Sequence, residues 1–312
     1  MTAAVLVCGS LNIDLVARVA TLPRAGETLL SSGLQRLPGG KGLNQAVAAA
    51  RMNTPTALVG ARGNDAEGAT LAALLDREGI DTRALLVRDS RLAPDAHTGL
   101  AQVWVAADGE NVIVVHSGAN ATLSPAEVRA AFTQTGAGAK VALAQLETPP
   151  NTVAAFLQAA RAQGASTVLN TAPAVAGTRT LLAGADWVLL NETELLHYAT
   201  DATASPTQEL SLEQCVAMAR RLIDTAQQTI VVTLGARGAL AVTPLHHAHY
   251  AAVPTTVIDT TGAGDCFCGV FAAALAAGWP AAAALERANR AAALAVSRPG
   301  AAPAMPRVDE LG

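Results

Sequence analysis

Aromatic and charged residues are both scarce in this chain. Of its 312 residues, 3% are aromatic and 15% are Asp, Glu, Lys or Arg, where a globular chain averages about 25% charged. Positive charge is short as well: 21 Lys and Arg stand against 25 Asp and Glu, a net charge of −4. That excludes non-specific nucleic-acid binding, which needs a basic footprint, and any anion held here must be met by local geometry. No basic segment precedes the first apolar run, because Met1 to Val7 leads straight into a strand pattern, unlike a signal peptide. No apolar run is long enough to span a bilayer: the longest, Val270 to Trp279, stops at Pro280, short of the roughly 20 residues required. Four cysteines are present, and the Cys266-x-Cys268 pair lacks the second ligand pair of a zinc site. Reduced, buried thiols and a cytosolic protein with no membrane partner are expected. What is plentiful is aliphatic: 51% of residues are hydrophobic, enough for a large core and incompatible with disorder.

The pattern alternates strand and helix. Val5 to Cys8, Thr56 to Val59, Val141 to Ala144, Thr167 to Leu169, Trp187 to Leu190 and Ile230 to Leu234 are short apolar runs. Between them lie helical patterns from Lys41 to Arg51, Glu67 to Arg77 and Asn151 to Gln163, and one of about 15 residues starting near Ser211. Strands apolar on both faces and separated by helices predict a mostly parallel sheet covered on both sides, a three-layer α/β/α domain spanning residues 1–312. Ligands bind such sheets beyond the carboxyl ends of the strands. Two stretches break the rhythm, about 15–34 and 98–115. The second carries β-rich runs on either side of Asp108-Gly109-Glu110, a hairpin signal. Together they are expected to form a small lid sheet projecting near the functional residues; the alternative is a pair of ordinary edge strands.

Three motifs sit where ligands bind. Asp259-Thr260-Thr261-Gly262-Ala263-Gly264-Asp265 precedes a helix. Glycines there turn backbone amides into one concavity at the positive end of a helix dipole, an anion site. Asp265 beside it is either a cap or a base, and a base next to an anion hole is what phosphoryl transfer to a hydroxyl needs. The second motif, Gly39-Gly40-Lys41-Gly42-Leu43-Asn44, is not a P-loop, since Gln35 replaces the first glycine and Gly42 the Ser or Thr. Lys41 and Asn44 share a helical face and suit a polyol's hydroxyls, unless they are merely a solvated helix start. In the third, Asn12 and Asp14 alternate along extended chain and face one way, placed to contact a small polar ligand or to form a turn. No G-x-G-x-x-G follows the first strand, which disfavours a dinucleotide site.

Weaker signals accompany these. Gln145-Leu146-Glu147 ends one strand, and Asn191-Glu192-Thr193-Glu194 follows another and starts a helix. The latter fits a capping box and equally a pair holding magnesium waters near phosphates. Thr233-Leu234-Gly235-Ala236-Arg237-Gly238 has a strand-turn-strand pattern whose glycines permit nucleotide contact. His246, His247 and His249 form an H-H-x-H tract, expected to be a surface loop because no carboxylate partners it.

Taken in order with Gly9-Ser10-Leu11 and Gly118-Ala119-Asn120, these motifs resemble the ribokinase family of sugar kinases, of the phosphofructokinase-B type, over nearly the whole chain. The Asn12/Asp14 pair and the glycine loop followed by Asn44-Gln45-Ala46 are nearer the ribose-phosphorylating members than the fructokinases, adenosine kinases or ketodeoxygluconate kinases. The resemblance implies the ribokinase-like fold and a homodimer joined through the lid, with Trp104 or the valines of 98–115 at the interface. It implies sugar contacts at Asn12, Asp14, Gly40, Lys41, Asn44, Glu147 and Asp265, and ATP contacts at Asn191, Thr233 through Gly238, Gly264 and Asn289. The anion hole falls on Gly262, Ala263 and Gly264, with potassium beside it at Asp259, Thr261, Ala295, Arg298 and Gly300. Ala304 stands where the family often carries a serine on the cation site, and Asn289 where a histidine is frequent near the adenine.

The activity so implied is transfer of the γ-phosphate of ATP to the primary (5-) hydroxyl of D-ribose, with Asp265 as base and magnesium held through waters by Asn191 and Glu194. Alternatives are a kinase for another small sugar or nucleoside (2-deoxyribose, fructose, ketodeoxygluconate, adenosine) and a catalytically silent sugar-binding regulator. Few aromatics mean that specificity should rest on polar residues at strand ends and on glycine amides rather than on ring stacking.

Overall fold

The computed structural model describes residues 3–89, 96–107, 110–200 and 209–312. The chain runs through β1 (Val5–Cys8), β2 (Asn12–Arg18), β3 (Gly33–Gly39), α1 (Lys41–Ala50), β4 (Thr56–Gly63), α2 (Ala66–Arg77) and β5 (Leu85–Arg88). There follow β6 (Gly99–Val105), β7 (Asn111–His116), α3 (Pro125–Ala131), β8 (Val141–Ala144), α4 (Pro150–Ala162), β9 (Ser166–Asn170) and β10 (Trp187–Asn191). The last elements are α5 (Glu192–Thr200), α6 (Leu212–Leu222), β11 (Thr229–Thr233), β12 (Ala239–Val242), β13 (His247–Tyr250), α7 (Ala263–Ala276) and α8 (Ala281–Val296).

Nine strands make the central sheet in the order β13-β12-β11-β10-β9-β8-β1-β4-β5. Every pairing from β11 to β5 is parallel, and β12 and β13 add antiparallel at one edge. Alternation along the strands builds two cores. Val5, Val7, Leu58, Leu143, Val168, Leu189 and Val231 pack with α1, α2, α7 and α8. Leu6, Cys8, Val59, Ala142, Leu169, Leu190 and Val232 pack with α3 to α6 on the other face. The three-layer arrangement follows, because strands such as β1 and β8 are buried at every residue and must be covered on both sides. The four cysteines are all buried and unpaired. No described helix is long and apolar enough to cross a membrane.

A separate four-stranded sheet, ordered β3-β2-β6-β7, projects from the body. Its strands depart from the expected bounds. β2 starts at Asn12 rather than Leu15, β3 runs on to Gly39, and the chain between them is irregular. The turn residues Asp108 and Gly109 lie outside the described residues. Ile13, Leu15 and Leu100 pack on the body core, so the alternate residues Asn12 and Asp14 occupy the other face. Two further differences concern the second half. Between β10 and β11 the helix expected to start at Asn191 is α5, and the one expected near Ser211 is α6, which is capped by Ser211 and has 11 residues rather than about 15. His247 and His249 belong to edge strand β13 rather than to a loop, and His249 Nε2 meets the Arg237 carbonyl at 2.7 Å.

Candidate active site

The carboxyl ends of the parallel strands converge on one edge, with the N-termini of α1 and α7 and the start of β2. Gly40 is where the lid meets the body. Its φ of 90° is open to glycine at little cost, and a Cβ there would lie 2.8 Å from the Asn12 amide and 2.9 Å from the Ser10 carbonyl. One step later α1 begins, bringing Lys41, Asn44 and Gln45 against the first turn of α7.

Asp265 sits in that turn and is buried. Its Oδ2 accepts from Asn44 Nδ2 and its Oδ1 from Gln45 Nε2, both at 2.9 Å. The Asn44 carbonyl oxygen is closed to solvent and has no partner, an acceptor left for a hydroxyl group. Glu147 Oε2 accepts from the Ser10 hydroxyl and from the Lys41 amide at 3.1 Å. Across the cleft, Asn12 Oδ1 accepts from Asn120 Nδ2 at 2.8 Å, and Asn120 grips the Leu11 backbone with both ends of its amide. With its oxygen so engaged, Asn12 is left with its NH2 as the free group, a donor.

Four carboxylates surround one ammonium here. Burial pushes Asp14 up to about 7, with Glu147 and Asp265 adding to the rise and Lys41 opposing it. Burial alone would lower Lys41, but Asp265, Glu147 and Glu194 outweigh it and hold the ammonium above its ordinary value. Glu194 is raised by burial and by Asp265, against the Asn191 amide and Lys41. Such a site suits a neutral, hydroxyl-rich ligand: carboxylates accept from hydroxyls, while Lys41 and Asn12 donate to them.

At the start of α7, Gly262 takes the left-handed conformation at φ 76°. The Ala263 amide is spent on the Thr260 carbonyl at 3.2 Å, so of the expected anion hole the Gly262 and Gly264 amides are without a protein partner among the described residues, as is that of Asp265. Nothing lies within 4 Å of the position a Gly264 Cβ would take, which leaves room for an anion. Behind the turn, Asp259 accepts from the amides of Thr261 and Gly300, each at 2.9 Å. Burial pulls this carboxyl up, but the Thr261 hydroxyl and the two amides prevail and hold it below the ordinary range. The Val296 carbonyl accepts from the Ile258 and Asp259 amides, and the Arg298 amide donates to the Ala295 carbonyl at 3.1 Å. Asp259, Thr261, Ala295, Arg298 and Gly300 thus share one loop cluster, in which the Arg298 guanidinium is paired with Glu310.

A family model described as the pfkB family carbohydrate kinases matches residues 2–307. The chain belongs to the pfkB family of carbohydrate kinases. It is 36% identical to the ribokinase of Haemophilus influenzae over 305 residues, 97% of this chain and 95% of that protein. It is also 31% identical to a deoxyribokinase of Salmonella typhi, over 98% of this chain and 96% of that one. The structure of Arabidopsis thaliana ribokinase complexed with ribose and ATP superposes with a TM-score of 0.83 at 29% identity, covering 100% of this chain and 98% of that chain.

The remaining expected residues of this pfkB-family kinase lie along β10, β11 and α8. Asn191 and Thr233 are register partners at adjacent strand ends. Asn191 and Glu194 cap α5 reciprocally, at 2.8 and 3.0 Å. Leu234 to Gly238 form the turn into β12, where the Gly238 carbonyl accepts from the Leu234 amide at 2.8 Å. The Arg237 guanidinium is tied to Glu192 at 2.6 Å and to the Leu210 carbonyl at 2.9 Å. Asn289 on α8 donates to the Tyr250 carbonyl at 3.0 Å. Sequence reasoning gave no individual role to the buried amides behind the site, Gln45, Asn120, Gln145 and Asn170, or to the hydroxyl of Ser10. All but Asn170 stood within the quoted motifs without a role assigned to them, and Asn170 directly follows the apolar run Thr167 to Leu169.

Proposed function

We propose that this kinase phosphorylates the primary 5-hydroxyl of D-ribose with ATP, giving ribose 5-phosphate and ADP. One observation carries the reading: a buried carboxylate, Asp265, lies in the first turn of a glycine-led helix, next to a glycine, Gly264, with open space where a side chain would stand. Asp265 takes the hydroxyl proton, the sugar oxygen attacks the γ-phosphorus in line, and the bond to ADP breaks. Lys41, Asn44, Glu147, Asn12 and Asp14 hold the sugar. Asn191, Thr233 to Gly238, Gly264 and Asn289 lie along ATP.

The hard oxygen donors suit the two implied cations. Magnesium held through waters near Asn191 and Glu194, and potassium beside Asp259, Thr261, Ala295, Arg298 and Gly300, would neutralise phosphate charge. For potassium the protein offers the Asp259 carboxylate and main-chain carbonyls, while Ala304 contributes no side-chain oxygen. The exposed run Val112-Ile113-Val114-Val115 on β7 supports a homodimer joined through the lid; a monodisperse monomer at micromolar concentration would contradict it.

The deoxyribokinase relative keeps 2-deoxyribose in view as a substrate. Against it stands the free NH2 of Asn12, which a sugar lacking the matching hydroxyl would leave unpaired at a cost of about 1–3 kcal/mol. An ADP-release assay over ribose, 2-deoxyribose, fructose and adenosine, with and without potassium, separates these readings. Ribose should lead, and Asp265→Asn should retain ATP binding while losing about 10²–10⁴ in rate. A variant within about tenfold of the wild-type kcat would sink the base assignment.

A further inference from the structure

The base is held from behind by a chain of amides that the mechanism above leaves without a role. Gln45 follows Asn44 on α1 and is fully buried. Its Nε2 donates one hydrogen to Asp265 Oδ1 at 2.9 Å and the other to Asn170 Oδ1 at 3.1 Å. Its Oε1 accepts from Gln145 Nε2 at 2.6 Å. Asn170 is oriented in turn by donating to the Leu189 carbonyl of β10 at 3.2 Å. Reversing the Gln45 amide would set its oxygen against two other oxygens and its NH2 against that of Gln145. Three bonds would become three repulsions, so its direction is fixed by its neighbours.

Packing alone does not call for an amide here. Burying one is costly unless every polar atom is paired, and an unbranched apolar side chain would fill the same volume. What the amide provides is a difference between the two oxygens of Asp265. Oδ2 is held by Asn44, whose own side-chain oxygen has no partner in the protein. Oδ1 is held by Gln45, which has no exposed surface and cannot touch a ligand in the cleft. An arriving hydroxyl can share Oδ2 with Asn44, while Oδ1 stays locked.

We propose that Gln45 is the positioning residue for the base. It clamps Oδ1 of Asp265 and so reserves Oδ2 as the oxygen that takes the proton, with Gln145 and Asn170 keeping Gln45 in register. In this step the sugar O–H bond breaks and its hydrogen joins Oδ2. The freed electron pair forms the oxygen–phosphorus bond, and the departing nucleoside diphosphate keeps the pair of the bond that breaks. The inference rests on the kinase reading with Asp265 as base.

The test is steady-state kinetics on Gln45→Met, Gln145→Met and each of these combined with Asp265→Asn. A base left free to rotate is expected to lower kcat about 10- to 100-fold in Gln45→Met, since misplacement of about 1 Å can cost that much. Both KM values should stay within about threefold, because Gln45 meets neither substrate. Gln145→Met should lose less in the same manner. In the Asp265→Asn background neither change should lower kcat further, since no base remains to be positioned. An unchanged kcat in Gln45→Met, or an equal loss with and without Asp265, overturns the inference and leaves the kinase assignment standing. If Gln45→Met fails to fold, as judged by circular dichroism, the same pair of outcomes is read from Gln145→Met. A wild-type protein that phosphorylates no sugar would remove the kinase reading, and the inference with it.

Discussion

Asp14→Asn should make the ligand-free protein more stable, and increasingly so as the pH rises. The Asp14 carboxyl is displaced from 3.8 to about 7 by burial and by the neighbouring Glu147 and Asp265. Between those values the folded protein holds a proton that the unfolded chain has released, so the stability of the wild type falls as the pH rises from about 4 to about 7 and is level above. At about 1.4 kcal/mol per pH unit the full displacement amounts to about 4 kcal/mol. Residual solvent contact at this partly buried group reduces the expectation to about 2–3 kcal/mol. The neutral amide removes the repulsion, and roughly two thirds of the effect should develop between pH 5 and pH 8. Urea unfolding of both proteins at the two pH values, with equal m-values, measures it. The gap in favour of Asp14→Asn should widen by about 1–2 kcal/mol at the higher pH, while sugar binding is lost. An equal gap at both pH values, or a less stable variant at pH 8, would refute the electrostatic reasoning.

Asn120→Leu strips the partners from the Asn12 oxygen and the Leu11 amide. It should raise the sugar KM tenfold or more, about 1.4 kcal/mol, and leave the ATP KM unchanged in the same coupled assay. Gly269→Ala drives a methyl group to 2.4 Å from the Gln45 carbonyl and 2.6 Å from the Ala48 Cβ, where α7 crosses α1. A loss of about 1–3 kcal/mol is expected in thermal melts, and an unchanged Tm would show that the helices can part freely. Asp259→Asn should weaken potassium activation with the fold intact by circular dichroism; a flat potassium titration of the wild type would remove that role.

The sequence disclosed the parts of this molecule that repeat a simple period. Strands such as Val141 to Ala144 are short, wholly apolar and bounded by polar residues, so both their existence and their burial on two sides were legible. The glycines before α1 and α7 marked helix starts for the same local reason. The junction between lid and body was less legible. Asn12 and Asp14 look like the tail of β1, yet they open β2, because β1 ends at Cys8 and the chain crosses to another sheet within three residues. The start of α5 was legible too, because Asn191 and Glu194 stand at capping-box spacing directly after a strand. The amide chain behind Asp265 was beyond reach from sequence. Gln45 lies 100 positions from Gln145 and 125 from Asn170, and no spacing rule distinguishes a buried amide from an exposed one.

The strand that becomes α1 has a mechanical consequence. Asn12 and Asp14 are part of the lid sheet itself, Lys41 and Asn44 belong to the body, and a single glycine, Gly40, separates β3 from the helix. The lid is therefore half of the seat rather than a door over it. On the sugar-kinase reading proposed above, a ligand seated there bridges the two sheets, so grasping it and fixing the lid against the body would be one equilibrium seen from two sides.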